Sequence, residues 1–353
     1  MQFLIGAFCE DTDFQAIVSG IQSGMREQLA AGLAGSSRQV LIAALKQQID
    51  RPILLVTHNM FSAQKIAEDL QELLSPEQVL VYPANESLAT ETAVASPEMS
   101  AQRIDVLTRL ANGYRGLLVV PFAGLRRLLP PSSVFREAQI RLAVGDTIKL
   151  DSFLRQMAEL GYERVDRVES RGEMSVRGGI VDFYPLTAEM PYRIELFDDI
   201  VDSIRTFDVV NQRSTDKMST VVIPPCKELI ADGKRFQDAA QRLYDLLQVQ
   251  LAKTTERQRK QKLHEEIQYE IDRLREQQYF PGMYKYVSLL YPERHTLIDY
   301  VDRDTLLVID EPARLAETAK QLEREEAEWT TSLLQEAKTL PGLDLSKPYE
   351  SLL

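Results

Sequence analysis

Apolar residues follow two alternating patterns along the first third of the chain. Short continuous apolar runs, typical of buried strands, occur at residues 52–57, 79–83 and 116–121. Apolar residues at helical spacing predict helices over residues 39–49, 61–74 and 98–112. Strands that alternate with helices in this way predict a parallel sheet covered by helices on both faces.

The pattern changes after the break at Pro130 and Pro131. A short helix over 151–160 precedes closely spaced segments in which apolar and polar residues alternate: GGIVDFYP, PYRIELFDD and VDSIRTFD. Such segments, separated by turn residues, predict a small, mostly antiparallel α+β unit. We therefore place the first two domains at residues 1–136 and 137–225.

The last third of the chain, residues 226–353, is predicted to be a helical domain. Residues 233–277 and 313–337 are charged and helix-forming, and residues 305–310 (TLLVID) form one more buried-strand pattern. We expect that strand to return to the first sheet. Positive and negative side chains are mixed over residues 233–277, which favours a solvated pair of amphipathic helices. The alternative is a basic face that tracks DNA.

Composition narrows the possible functions. The formal net charge of -12 argues against broad, sequence-independent DNA binding, which needs many Lys and Arg contacts to phosphates. Cys9 and Cys226 are the only cysteines, which excludes a disulfide framework and a zinc cluster and fits a reduced cytoplasm. The sequence has no apolar run long enough to span a bilayer, so no membrane partner is expected. Three histidines form no recognisable triad, and we predict no catalytic residue and no metal site.

A glycine-containing segment, GLAGSSRQ, precedes the first predicted helix. A working phosphate loop has the pattern G-x-x-x-x-G-K-[ST], in which the second glycine, the lysine and the hydroxyl hold phosphate and Mg²⁺. Gly32 fits this pattern and Gly35 lies within the loop, but Ser37, Arg38 and Gln39 replace the three informative residues. On its own, the segment is more typical of an ordinary turn before a helix.

An acidic pair, Asp310 and Glu311, ends the predicted strand at 305–310. In helicase-type ATPases a strand-end acidic pair holds Mg²⁺ and orients water. The alternative is a helix start, where acidic residues are favoured in the first turn. An acidic pair has no Mg·ATP to hold unless a phosphate loop accompanies it, so the two candidate motifs depend on each other.

The segment over residues 171–214 carries a long and specific pattern, RGEMSVRGGIVDFYP followed by YRIELFDDIVDSIRTFDVVNQRS. It resembles domain 2 of the excision-repair protein UvrB and of the bacterial transcription-repair coupling factors. The resemblance extends to PILLVTHNMFSAQKIAEDL, FREAQIRLAVGDTIKLDSFLRQMAELGYERV and YFPGMYKYVSLL. It thus covers nearly the whole chain as domains 1a, 2 and 1b. The implied fold class is α/β: a degenerate phosphate-loop, helicase-like sheet domain with an inserted α+β domain and a helical subdomain.

Departures from UvrB favour the coupling factors. UvrB has an intact phosphate loop and a tyrosine-rich hairpin, whereas here the loop is degraded and no aromatic residue lies between Tyr82 and Tyr114. Aromatic side chains are what such a hairpin would stack on bases, so strand separation is expected to be lost. Pro312 and Ala313 also replace the Ser-His that follows the acidic pair in UvrB.

The resemblance implies a surface on domain 2 that binds UvrA through Arg177, Arg193 and Phe197. Arg193 and Phe197 are an even number of residues apart on one predicted strand, so they share a face. An exposed arginine–aromatic pair is a typical interface hot spot. The alternatives are an intradomain salt bridge for Arg177 and a core position for Phe197.

The resemblance further implies an adaptor that recruits UvrA to RNA polymerase stalled at DNA damage, with no ATP turnover and no cofactor in this region. Contacts with RNA polymerase and DNA would come from other regions of a longer protein, and an autoinhibitory contact would come from its C-terminal domain. The alternative function is an ATP-dependent DNA helicase of the UvrB type.

Overall fold

The first sheet consists of four parallel strands in the order β12-β1-β3-β2. The computed structural model describes residues 2–86 and 96–352, without the side chains of Gln2 and Leu4. The strands are β1 (Ile53–Thr57), β2 (Val79–Val81), β3 (Leu117–Pro121) and β12 (Leu306–Ile309). β12 is added beside β1, in register from Ile53 opposite Leu306. The expected return of the last strand to the first sheet is therefore confirmed.

The described helices, in chain order, are α1 (Gln2–Cys9), α2 (Thr12–Gln22), α3 (Ser37–Gln48), α4 (Met60–Leu73), α5 (Pro97–Ala111), α6 (Phe122–Arg126), α7 (Ser132–Glu137), α8 (Leu150–Glu159), α9 (Gly233–Lys253), α10 (Arg257–Arg275), α11 (Val287–Leu290) and α12 (Pro312–Gln335). Short 3₁₀ turns lie at Pro76–Gln78, Met283–Tyr286, Leu297–Tyr300 and Tyr349–Ser351. Among these helices, none is both long enough and apolar enough to cross a membrane.

The central strands β1 and β3 are buried on both faces, as their continuous apolar runs predicted, whereas Leu307 of the edge strand β12 is exposed. On one face, Leu55 and Val119 pack into a core with α1 to α4. On the other face, Val56 and Val120 pack with α5, α6 and α12. Alternate residues of β1 and β3 therefore contribute to opposite cores, and the expected helix-covered parallel sheet is confirmed.

The second sheet has six strands in the order β10-β9-β8-β7-β6-β5. The strands are β5 (Glu163–Arg164), β6 (Glu173–Arg177), β7 (Ile180–Phe183), β8 (Tyr192–Phe197), β9 (Ile200–Phe207) and β10 (Ser214–Met218). All neighbours are antiparallel except β5 and β6. A separate ribbon pairs β4 (Ile140–Ala143) with β11 (Thr220–Ile223). One face of the second sheet packs on α8 and forms a separate core. The buried residues of this core all come from the part of the sequence between Leu142 and Ile223.

The helical region is built around a hairpin of α9 and α10. The charged stretch predicted as a helix pair forms these two helices, and its apolar stripe, including Leu247 and Ile267, is buried. The charged positions of the stretch therefore lie outside the core. Division of the chain at residues 136/137 and 225/226 stays a prediction, with the separate core beneath the second sheet as its physical basis.

Candidate functional site

The loop before α3 turns sharply at its glycines. Gly32 and Gly35 have φ values of 78° and 57°, in the left-handed region that favours glycine. The Ser37 Oγ donates a hydrogen bond of 2.7 Å to the Ala34 carbonyl, so the hydroxyl closes the loop on itself. The helix begins at Ser37, as the phosphate-loop pattern places it.

The acidic pair meets this loop across 272 residues of sequence. One guanidinium nitrogen of Arg38 lies 3.0 Å and 3.2 Å from the two Asp310 oxygens and 3.5 Å from a Glu311 oxygen. The Asp310 backbone N–H donates to Val56 at the end of β1, which fixes the carboxylate beside α3. Burial raises the pKa of Asp310, and the charge of Arg38 opposes that rise. The two candidate motifs therefore lie together and are joined by an ion pair.

Gln39 is engaged elsewhere. Its side chain is buried, and its Nε2 donates 2.9 Å to Asp69 on α4. The residue at the position of the metal-binding hydroxyl therefore packs against a neighbouring helix. A working site would place Mg²⁺ and phosphate between the loop and the acidic pair, whereas here Arg38 contacts the acidic pair directly.

The face of the second sheet that points away from α8 is called the outer face. On this face, Arg193 binds the buried carboxylate of Asp182. Its Nε and one terminal nitrogen donate to the two Asp182 oxygens at 2.7 Å and 2.8 Å, a bidentate pair. Its other terminal nitrogen donates to the Gln212 carbonyl at 3.1 Å, and its guanidinium carbon lies 4.7 Å from the centroid of the Phe207 ring. Hydrogen bonding to Asp182 raises the pKa of Arg193.

This geometry corrects the expectation that Arg193 is an exposed hot-spot residue. Its side chain is only 13% exposed, and that of Asp182 is 1% exposed. Loop residues that follow β9, including Gln212, enclose the guanidinium. The side chain that was expected to face a partner is thus held inside the domain.

Arg177 and Phe197 are the exposed members of the predicted set. Arg177 lies 3.2 Å from the Asp182 carboxylate, yet its side chain is 54% exposed. The intradomain salt bridge therefore exists and leaves much of the guanidinium open. Phe197 is 72% exposed, so the alternative of a core position is wrong.

Two apolar residues accompany Phe197. In the strand register Ile200 is its partner on β9, and Ile180 on β7 pairs with Glu195, two residues before it. Ile180 and Ile200 are 37% and 47% exposed. Sequence reasoning missed both isoleucines and Asp182, although alternation in GIVDF places Ile180 and Asp182 on one face of the strand.

The turn between β6 and β7 brings Arg177 to this apolar edge. Gly178 has a φ of 62° at the first of two turn residues, which suits a tight hairpin of the II′ kind. The Gly179 carbonyl accepts a 2.7 Å hydrogen bond from Leu196 N–H. The tips of two neighbouring hairpins are therefore connected, and they present Arg177 beside the apolar residues.

The outer face thus combines a positive charge with apolar surface. Two guanidinium groups share the single carboxylate of Asp182, which leaves an excess of one positive charge among the three. Surfaces of this composition suit a partner with a carboxylate beside an apolar pocket. The predicted absence of an aromatic hairpin falls partly on residues 87–95, which lie outside the described residues.

The part of the chain that carries the outer face matches a known protein family. Residues 140–229 match the model of the UvrB interaction domain. That span contains the whole outer-face cluster, from Arg177 to Gln212.

Nearly the whole chain is similar to curated transcription-repair-coupling factors. It is 43% identical over 97% of its length to that of Bacillus subtilis, 33% over 97% to that of Staphylococcus epidermidis, and 32% over 98% to that of Staphylococcus aureus. In each case it covers 29% of the relative, so the chain spans less than a third of these proteins. Over nearly its whole length the chain is therefore similar to the UvrB-like N-terminal region of the transcription-repair-coupling factors.

Proposed function

We propose that this chain is the UvrA-docking module of a transcription-repair coupling factor, and that it brings excision repair to RNA polymerase stalled at DNA damage without turning over ATP. The similarity to transcription-repair-coupling factors and the match of residues 140–229 to the UvrB interaction domain support the proposal. The three domains at 1–136, 137–225 and 226–353 belong to it, with the second carrying the docking surface. A cytoplasmic location is part of the same proposal.

The observation that carries the proposal is the outer-face cluster around Asp182. The buried carboxylate fixes the Arg193 guanidinium at 2.7 Å and contacts Arg177 at 3.2 Å. Arg177 is thereby held in place before a partner arrives, which lowers the entropy that binding must overcome. Phe197 stands exposed on the same face. We assign Arg177 and Phe197 to direct contact with UvrA, and Arg193 to positioning.

Titration of UvrA with the purified chain tests these roles. Arg177→Ala and Phe197→Ala should each weaken binding by about 2 kcal/mol, a factor of roughly 30, as expected of hot-spot residues. Arg275→Ala and Tyr269→Ala are matched controls, because both side chains are exposed and lie on α10, which is not part of the second sheet. These controls should bind UvrA as the unaltered chain does. Unchanged affinity in the Arg177→Ala/Phe197→Ala double variant would remove the site assignment.

Arg193→Ala should weaken UvrA binding in a different way. Its guanidinium is largely buried, so the variant should lose stability in the second sheet together with affinity. A substantial loss of affinity with unchanged stability would instead assign Arg193 to direct contact.

The Arg38–Asp310 ion pair supports the absence of ATP turnover. The arginine at the lysine position contacts the acidic pair at 3.0 Å, and Gln39 at the hydroxyl position is bound to α4. Calorimetry with Mg·ATP should give no saturable heat. Saturable binding that disappears in Asp310→Asn would favour the alternative, a UvrB-type helicase.

The remaining partners lie outside this chain. We propose that RNA polymerase and DNA are bound by other regions of the longer protein, and that its C-terminal domain covers the Arg177–Phe197 face until polymerase is engaged. The isolated chain should then bind UvrA more tightly than the full-length protein. Equal affinities would contradict the autoinhibitory contact while leaving the docking surface intact.

A further inference from the structure

His58 lies beside the acidic pair, at the end of β1. Its side chain is 6% exposed, and its Nδ1 lies 3.8 Å from a Glu311 carboxylate oxygen. Single ligand atoms from His58, Asp310 and Glu311 lie within 4.8 Å of one another. We infer that these three residues form a binding site for a divalent transition-metal ion, with Zn²⁺ as the best-matched ion, and that Arg38 competes with the metal for the carboxylates.

The buried imidazole provides evidence for a ligand that is independent of the carboxylates. Within the part of the chain that the structure describes, Nδ1 of His58 has no hydrogen-bond partner. The other ring nitrogen, Nε2, lies 3.4 Å from the Ser62 hydroxyl. Buried polar atoms are rarely left unsatisfied. A metal at Nδ1 would satisfy this atom, with Ser62 orienting the ring from behind, as outer partners of metal-bound histidines do.

The donor set indicates the class of metal. One imidazole nitrogen and two carboxylate oxygens match sites that bind zinc through mixed nitrogen and oxygen ligands. In a tetrahedral zinc site neighbouring ligand atoms are about 3.4 Å apart, so small side-chain shifts would close the observed spacing. Mg²⁺ prefers oxygen ligands in octahedral geometry and gains little from the histidine. The site thus differs in its ion from the Mg²⁺ position of an ATPase.

Arg38 makes the affinity of this site adjustable. Its guanidinium contacts Asp310 at 3.0 Å and Glu311 at 3.5 Å, so a bound metal must displace it or share the carboxylates with it. Arg314 also lies 3.3 Å from Glu311, but that residue is more exposed. Removal of one positive charge a few ångströms from a dication should raise affinity by roughly tenfold or more.

Calorimetric titration of the whole 353-residue chain with ZnCl₂, in the absence of nucleotide, tests the inference. One site is expected, with Zn²⁺ binding at least tenfold weaker in His58→Asn and at least tenfold tighter in Arg38→Gln. The matched control is His264→Asn, because His264 is exposed on α10, and this variant should leave the affinity unchanged. MgCl₂ should give no saturable binding. Co²⁺ as a spectroscopic probe should show ligand-field bands that change in His58→Asn.

Circular dichroism spectra of the variants show whether each of them folds. If His58→Asn fails to fold, Asp310→Asn and Arg38→Gln decide, with loss of Zn²⁺ affinity expected in the first and gain in the second. Affinity that is the same in all variants means an adventitious ion only and overturns the inference. UvrA binding by these variants should be unchanged, so this outcome is separable from the proposed docking function.

Discussion

Asp182→Asn is the substitution that most directly tests how the outer face is organised. Asparagine has nearly the same size but lacks the charge that Arg193 contacts through two hydrogen bonds, at 2.7 Å and 2.8 Å. Because Arg193 is 13% exposed, its guanidinium would remain buried without a counter-ion.

The expected loss of stability in Asp182→Asn depends on the contacts that the Arg193 guanidinium retains. Removing one partner of a buried ion pair costs about 3–5 kcal/mol. Here the guanidinium retains the Gln212 carbonyl at 3.1 Å and the Phe207 ring, and the asparagine oxygen still accepts one hydrogen bond. We therefore expect the free energy of opening of the second sheet to fall by about 2–3 kcal/mol.

Amide hydrogen exchange is the suitable assay, because separate cores need not unfold together and exchange reports each region by itself. Peptides covering β7 and β8 should lose protection by a factor of roughly 30–150 in Asp182→Asn, and those covering α9 should not change. Asp202→Asn is the control, since Asp202 is exposed on β9 and should cost less than about 0.5 kcal/mol. A loss below about 1 kcal/mol in β7 and β8 would refute the assignment of Asp182 as the buried anchor.

Three further substitutions have defined outcomes. Gly179→Ala would place a Cβ 2.8 Å from the Leu196 carbonyl, so exchange protection at the hairpin tips should fall by about 1–3 kcal/mol. Leu247→Ala should lower the stability of the α9–α10 core by about 2–5 kcal/mol in urea titrations, whereas the exposed Val249→Ala should change it little. Burial lowers the pKa of Lys227 to about 8, so folding disfavours its ammonium form. Below pH 8 that penalty is fully present, and it is relieved as pH rises towards the unfolded pKa of about 10.4. Lys227→Met should therefore gain stability over the unaltered chain at pH 7, and a gain that persisted undiminished at pH 9.5 would contradict this.

Local sequence patterns predicted most of the regular elements. The predicted strand at 116–121 is observed as Leu117–Pro121, and the predicted helix at 61–74 as Met60–Leu73. Continuous apolar runs encode burial on both faces, and helical spacing encodes one apolar stripe, so both can be read from near neighbours. Helices α1 and α2 were not predicted: Glu10 and Asp11 lie between them, and the apolar stretch on either side is short.

Contacts between residues far apart in the sequence could not be predicted from local patterns. Arg38 appeared only as a lost lysine, and its ion pair with Asp310 depends on β12 pairing with β1. Similarly, strand alternation placed Arg193 on the correct face of β8. Its burial depends on Asp182 of the next strand and on Gln212 of a distant loop, neither of which the alternation of β8 reveals.

The position of β12 at the edge of the first sheet has a consequence for how the chain folds during synthesis. The residues that join at Arg38 and Asp310 are 272 apart, which a ribosome adding about 5–20 residues per second takes roughly 15–55 s to make. The core beneath the second sheet, between Leu142 and Ile223, is complete well before then. During the interval one apolar edge of β1 is open to pairing with other chains. The first sheet to be synthesised is therefore the last to be completed, and the nascent chain is most prone to aggregation until residues 306–309 emerge.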